Sequence, residues 1–205
     1  ALPILDPFSD VPTLTMSGDA MIIARPENRP FDQYPRNVIQ RAVEFMKETG
    51  IADKMIIGPE FEFNVFDDVR FITRPERVCC EIDTEEAEWS TETVGDGFSN
   101  RHHGGYHIEV PQDRYYNLRS RMCLLMDDWG VKVKYHHHEV GGPGQLEIEV
   151  ELADVEKMAD NTMVTKYIIR NAAVEEGCTA TFMPKPIYCE AGNGMHVHML
   201  LTKDG

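Results

Sequence analysis

Three short stretches of the chain combine acids and histidines at spacings that can bring them together. In GPEFEFNVFDD (residues 58–68) Glu60 and Glu62 alternate with Phe61 and Phe63. Alternation with period two predicts a strand with both acids on one face and both phenylalanines on the other. In YHHHEVGGPGQLEIEV (residues 135–150) a three-residue turn at Gly142, Pro143 and Gly144 would set Glu139 directly opposite Glu147. Facing carboxylates repel, and a hard divalent cation such as Mg²⁺ or Mn²⁺ is the usual remedy, because carboxylate oxygens are its preferred ligands. In GNGMHVHM (residues 192–199) His196 and His198 stand two apart, on one predicted strand face, behind Gly192 and Gly194. Such a pair can ligate or donate.

Each stretch taken singly also has a plainer reading. E-F-E-F describes a solvated strand over a phenylalanine core. A one-residue slip of the hairpin would send one acid to solvent, and an isolated H-x-H is commonly a pair of surface histidines. The functional reading rests on accumulation: three otherwise apolar strands each present ionisable groups, which is costly unless the charges meet a metal or a substrate. The run His136 to His138 does not suggest zinc. Consecutive strand residues alternate faces, and no cysteine partners stand nearby.

The elements that must position these residues follow from periodicity and from end signals. PRNVIQRAVEFMKETG predicts a helix from Pro35 to a terminal Gly50, with an apolar stripe of Val38, Ile39, Ala42, Phe45 and Met46. DRYYNLRSRMCLLMDDWG predicts a second, N-capped by Asp113, with a stripe of Tyr115, Leu118, Met122, Leu125 and Trp129. A third is expected from about Asp154 towards Gly177, with Val155, Ala159, Met163 and Tyr167 along one face. Strands are expected in KMIIGPEFEFNVF, GGYHIEV, VKVKYHHHEV, QLEIEVEL and NGMHVHMLL, and residues 84–105 read as a long polar surface loop.

Composition limits the partners. The 205 residues carry a formal charge of −15, with 42% hydrophobic and 27% charged residues, which suits a globular domain and metal cations but not nucleic acid or an anionic membrane. Five cysteines without C-x-x-C spacing suggest neither a zinc ribbon nor a disulfide framework, and point to a reducing cytoplasm. Membrane-span and export patterns are absent from the sequence, and so are the G-x-G-x-x-G and G-x-x-x-x-G-K-[ST] nucleotide loops. The start at Ala1 and the stop after LTKDG read as those of a piece of a longer protein.

Four motifs in order, GPEFEFNVFDD, HHHEVGGPGQLEIE, TATFMPKPIY and NGMHVHM, make the chain similar to the catalytic domain of type I glutamine synthetase from Asp19 onward. The resemblance implies an α+β fold with a curved, mainly antiparallel sheet and flanking helices. It implies a partial catalytic domain over residues 1–205, without the family's N-terminal β-grasp domain and its C-terminal half, and so an inactive piece by itself. The implied reaction joins ammonia to the γ-carboxylate of glutamate through γ-glutamyl phosphate, with ATP as co-substrate, in a ring-shaped homo-oligomer, a dodecamer. Motif by motif, Glu62, Glu139 and Glu147 would hold one Mg²⁺ or Mn²⁺, and Glu60 and His196 a second. His137 and His198 would face the nucleotide and its phosphates. Glu62, Gly192 and His196 would lie beside the amino-acid substrate, while Glu139 and Tyr106 would be catalytic, Tyr106 near the ammonium site. Leu146, Ala191 and Leu200 depart from the family pattern. Those at Leu146 and Ala191 favour, as alternatives, a γ-glutamyl ligase using another amine; a non-catalytic metal- or nucleotide-binding module is the remaining one.

Overall fold

A computed structural model describes residues 3–89 and 97–204. In chain order, the short antiparallel pairs β1 (Ile4–Leu5) with β2 (Leu14–Thr15) and β3 (Met21–Ile22) with β4 (Arg29–Pro30) precede helix α1 (Pro35–Glu48). Strands β5 (Lys54–Phe66), β6 (Asp68–Arg74) and β7 (Arg77–Asp83) lead to α2 (Tyr116–Asp128). Then follow β8 (Val133–His138), β9 (Gln145–Val150), β10 (Ala153–Asp154), α3 (Val155–Glu175), β11 (Thr179–Thr181) and β12 (Val197–Thr202). The class is α+β, as expected, with a multi-strand antiparallel sheet and three helices among the described residues. No helix among the described residues is long and apolar enough to cross a membrane.

The chain divides into two compact units: Ala1–Gly58, Leu152–Met163 and His198–Gly205 in one, Pro59–Glu151 and Val164–Val197 in the other. In the first, Arg36 of α1 bonds to Asp160 and Asp19, and those acids raise its pKa. Helix α1 ends as predicted, with Gly50 at φ +67°, a left-handed stop that glycine adopts without strain. Its stripe is a different matter. Met46 is buried, but Val38, Ala42 and Phe45 are exposed, because the described residues of this unit place no apolar surface over them.

The second unit holds the candidate site. The later part of β5 pairs with β11 on one side and with β9 on the other, and β9 pairs in turn with β8, all antiparallel. Register decides which residues share a face. Phe61 lies opposite Ile148 and Phe63 opposite Leu146, and these four are buried. Helix α2 contributes Leu118, Met122 and Met126 to the core, and burial of each such side chain is worth about 1.5–3 kcal/mol. Leu146 therefore belongs to the core, which removes it as an argument about substrate.

Several expectations are corrected here. Asp113 does not cap α2, which begins at Tyr116; it is buried and forms a two-pronged ion pair with Arg119, whose charge needs that partner. The buried stripe of α2 runs through Met126, with Leu125 and Trp129 only half-buried. In α3 the buried positions are Val155, Met158, Thr165, Ile168, Ile169, Ala172 and Ala173, while Met163 and Tyr167 are exposed. GGYHIEV forms turns rather than a strand. His107 within it sits at φ +55°, which a strand does not accept. Residues 84–105 are not a surface loop throughout: Thr84, Glu86, Ala87, Asn100 and Gly105 are buried, while residues 90–96 lie outside the described ones. β12 begins at Val197, after His196, so His196 and His198 are not both strand residues.

Candidate functional site

The face of β5 and β9 opposite the core is made of glutamates. Glu62 lies opposite Glu147 and Glu60 opposite Glu149, because alternation on both strands keeps every second residue on this side. Strand β8 adds His137 opposite Glu147 and Tyr135 opposite Glu149, and turns His136 and His138 to the core side. The hairpin register differs from expectation. His138 pairs with Leu146, and the Glu139 N–H donates to the Gln145 carbonyl at 2.8 Å, so Glu139 faces Gln145 rather than Glu147.

The loop between the strands widens to residues 140–144. Val140 N–H donates to Glu139 Oε2 and Gly141 N–H to Gln145 Oε1, both at 2.5 Å, so neither is left for the hairpin ladder. Gly144 N–H donates to Glu86 at 2.6 Å and its carbonyl accepts from Val65 N–H at 2.8 Å, which anchors the far end of the loop. At φ +75°, with the Val65 carbonyl only 2.2 Å from where a Cβ would stand, no other residue fits. The displacement is by two residues and preserves the face. Glu139 and Glu147 become diagonal neighbours, and His137, Glu139 and Glu147 each offer a ligand atom, all within 4.8 Å of one another.

Protonation follows from the partners. His137 Nδ1 is 3.0 Å from the His138 carbonyl, which can only accept, so the proton resides on Nδ1. Nε2, 3.4 Å from Glu147 Oε2, is then free to bind a cation. Burial pushes the Glu147 carboxyl up to about 7, with the charges of Glu60, Glu139 and Glu62 adding to it. Glu149 behaves oppositely. Burial would raise it, but Lys134 at 2.7 Å, with Tyr135, holds it below the usual carboxylate range.

The second grouping lies at the other end of the same glutamate row. His196 Nδ1 stands 2.7 Å from Glu60 Oε2 and 4.0 Å from Glu62 Oε1, and the hydrogen bond to Glu60 raises its pKa. Glu62 is held by the Gly194 N–H at 3.0 Å and by Gln145 Nε2 at 3.3 Å. Gln145 Nε2 also donates to Gly192 O at 3.0 Å and Asn193 Oδ1 at 2.9 Å, tying the glycine turn to the acid row. Gly192 packs against the Pro184 carbonyl, 2.4 Å from where a Cβ would stand. Tyr106 is exposed, with its ring edge-on to His137 at 5.4 Å. His198 lies in β12, is exposed, and belongs to the other unit.

Residues 32–205 match the family described as glutamine synthetase, catalytic domain. The chain belongs to the glutamine synthetase family. The glutamine synthetase of Methylococcus capsulatus is 43% identical, over 98% of this chain and 44% of that protein. The 3-hydroxylaminophenol mutase of Cupriavidus pinatubonensis is 39% identical, over 98% of this chain and 43% of that protein. Among solved structures, Plasmodium falciparum glutamine synthetase superimposes with a TM-score of 0.78 at 28% identity, covering 93% of this chain and 40% of that one. The chain thus spans about 44% of the length of the curated relatives it matches.

The residues present fit divalent cations on their own chemistry. Buried or half-buried carboxylates crowd one face, and among the described residues Glu147 has no ammonium or guanidinium as ion-pair partner, so its charged form is penalised until a cation arrives. The donors are mostly hard oxygens, which favours Mg²⁺ or Mn²⁺ over zinc.

Sequence reasoning missed Glu86 and Gln145. Glu86 is buried and accepts from His138 Nε2 at 2.8 Å, Arg114 N–H at 2.9 Å and Gly144 N–H. His138 Nδ1 meets the Glu139 carbonyl at 2.8 Å, so both ring nitrogens face acceptors, an arrangement that favours the cationic imidazole. Burial would lower its pKa, but the hydrogen bond and charge of Glu86, with the Glu139 carbonyl and Asp113, together outweigh it and raise the pKa. The only sequence signal for either residue is a polar type amid residues that turn out to be buried.

Proposed function

We propose that the whole protein to which this chain belongs forms glutamine from glutamate and ammonia with ATP as phosphoryl donor, and that this chain carries the carboxylate face on which the reaction is organised. The row of Glu60, Glu62, Glu139 and Glu147 with His137 and His196 on one antiparallel face is the observation that supports it. Glu139 and Glu147, with Glu62 across the strand, are assigned to one divalent cation, and Glu60 and His196 to the other. Bound Mg²⁺ or Mn²⁺ would neutralise phosphate oxygens and so lower the barrier to transfer onto the γ-carboxylate.

The chain's residues do the positioning. Gly194 N–H and Gln145 fix the Glu62 carboxylate, and Gln145 also pins the turn of Gly192, assigned to the amino-acid substrate. His137 keeps its proton on Nδ1 and presents Nε2 to Glu147, while Tyr106 covers the edge of its ring. His137 and His198 are assigned to the nucleotide side, and Glu139 and Tyr106 to the ammonium side. The five cysteines are free thiols, which fits a reducing cytoplasm. A ring-shaped homo-oligomer, a dodecamer, completes the proposal.

The test is ADP release by the intact protein, followed with glutamate, Mg²⁺ or Mn²⁺, and either ammonia or a panel of amines, together with direct detection of glutamine. Glutamate-dependent ADP release with ammonia and formation of glutamine are expected. Release only with another amine would move the acceptor, and no glutamate-dependent release with any amine would overturn the reading.

A further inference from the structure

A second cluster of ligand-type side chains lies where residues 101–105 meet the turn around Glu190, and the carboxylate face makes no use of it. The Glu190 side chain is 4% exposed, yet its ion-pair partners among the described residues are two histidines, 57% and 48% exposed. His102 Nδ1 stands 2.5 Å from Glu190 Oε1, His103 Nδ1 3.5 Å from Oε2, and the His103 backbone N–H donates to Oε2 at 3.4 Å. A buried carboxylate needs a counter-charge, and an imidazole supplies one only when it is protonated, whereas a bound cation supplies it outright.

The geometry is held before any ion arrives. Glu190 packs against Gly142, where a Cβ would come within 2.8 Å of its carboxyl carbon, so its position is set by the hairpin turn. His103 stands at φ +53°, a conformation that lets two consecutive residues aim at one point instead of alternating. The two rings are 3.8 Å apart at 63°, edge to face rather than stacked, and both Nδ1 atoms face the carboxylate. One ligand atom from each of the three residues lies within 4.8 Å of the others.

We propose that His102, His103 and Glu190 form a zinc-type metal site that shares no ligand with the carboxylate face. Two imidazole nitrogens and one carboxylate oxygen are a ligand set zinc takes with its fourth position open, whereas Mg²⁺ and Mn²⁺ favour oxygen. The ion acts as a clip. It joins residues 102–103 to the segment that runs on from Glu190 into Gly192 and Gly194, and those glycines abut Gln145 and Glu62.

The experiment titrates Zn²⁺ into the purified intact protein in excess Mg²⁺, which occupies hard-oxygen sites, and measures retained zinc by elemental analysis. Co²⁺ replaces Zn²⁺ in a parallel titration read by visible absorption. The comparison is with the double variant His102→Ala, His103→Ala, whose exposed rings leave the core intact, and with Glu190→Gln. The wild type is expected to retain one more equivalent than the double variant and to show a low-symmetry Co²⁺ spectrum. Each variant should bind at least about tenfold more weakly, since even loss of a residue supporting a metal ligand costs 10–100-fold. Equal zinc uptake by wild type and double variant, or no uptake by the wild type at micromolar zinc, would overturn the proposal.

Discussion

Replacing Glu147 by Gln keeps the shape of the side chain and deletes one charge from the most crowded point of the glutamate row. Glu147 faces Glu62 across β5 and β9, has Glu139 diagonal to it, and titrates near 7 rather than at its ordinary 4.5. One pKa unit corresponds to about 1.4 kcal/mol, so ionising Glu147 in the metal-free protein costs at most about 3.5 kcal/mol of stability. Solvent reaching the row reduces this to roughly 1–3 kcal/mol. Because the folded pKa is raised, the native state holds the proton longer than the unfolded chain does. The stability it confers is fully present below 4.5 and is lost as pH rises through about 7. A neutral Gln escapes this loss. In EDTA, Glu147→Gln should therefore match or slightly trail the wild type at pH 5, and exceed it by about 1–3 kcal/mol at pH 8. Saturating Mn²⁺ should reverse the order, since the wild type gains a full ligand set and the variant does not. Urea unfolding at both pH values, with EDTA and with Mn²⁺, reads all of this. A variant less stable than wild type in EDTA at pH 8, or one that keeps the whole Mn²⁺ increment, would refute the argument.

Glu86→Gln should destabilise the protein by about 3–5 kcal/mol in urea unfolding, because it strips the counter-charge from buried cationic His138. In the wild type the raised His138 pKa makes that pair's contribution largest below pH 6.5 and smaller as pH climbs through the folded pKa, a slope the variant should lack. Gly144→Ala should cost about 2–4 kcal/mol, from the left-handed φ and the contact with the Val65 carbonyl, and should shrink the Mn²⁺ increment because the loop between Glu139 and Gln145 loses its anchor. An unchanged urea midpoint and Mn²⁺ response in that variant would show that Gly144 does not anchor the loop.

Local pattern reaches as far as the choice of face and no further. Alternation in β5 assigns Glu60 and Glu62 to one side and Phe61 and Phe63 to the other, and the structure agrees, because a strand's pleat is a property of its own backbone. Helix ends at Pro35 and Gly50 were equally readable. Failures occur wherever a distant group competes. Asp113 looks like a cap but is claimed by Arg119, and GGYHIEV alternates like a strand yet turns at His107. The polar stretch containing Glu86 looks solvated because its partners, His138 and Gly144, lie more than fifty residues away.

The candidate site divides along the same line. The sequence by itself determined the family, the carboxylate-rich face and the residues on it, since spacing and residue type are local facts. Only the tertiary structure decided who faces whom: Glu147 opposite Glu62 and His137, Glu139 diagonal to it, and Glu60 bonded to His196. A hairpin's register is set by where its turn closes, and here Val140 and Gly141 leave the ladder while Glu86 and Val65 anchor Gly144. No window of sequence around the turn contains Glu86 or Val65, so only the folded chain could place them.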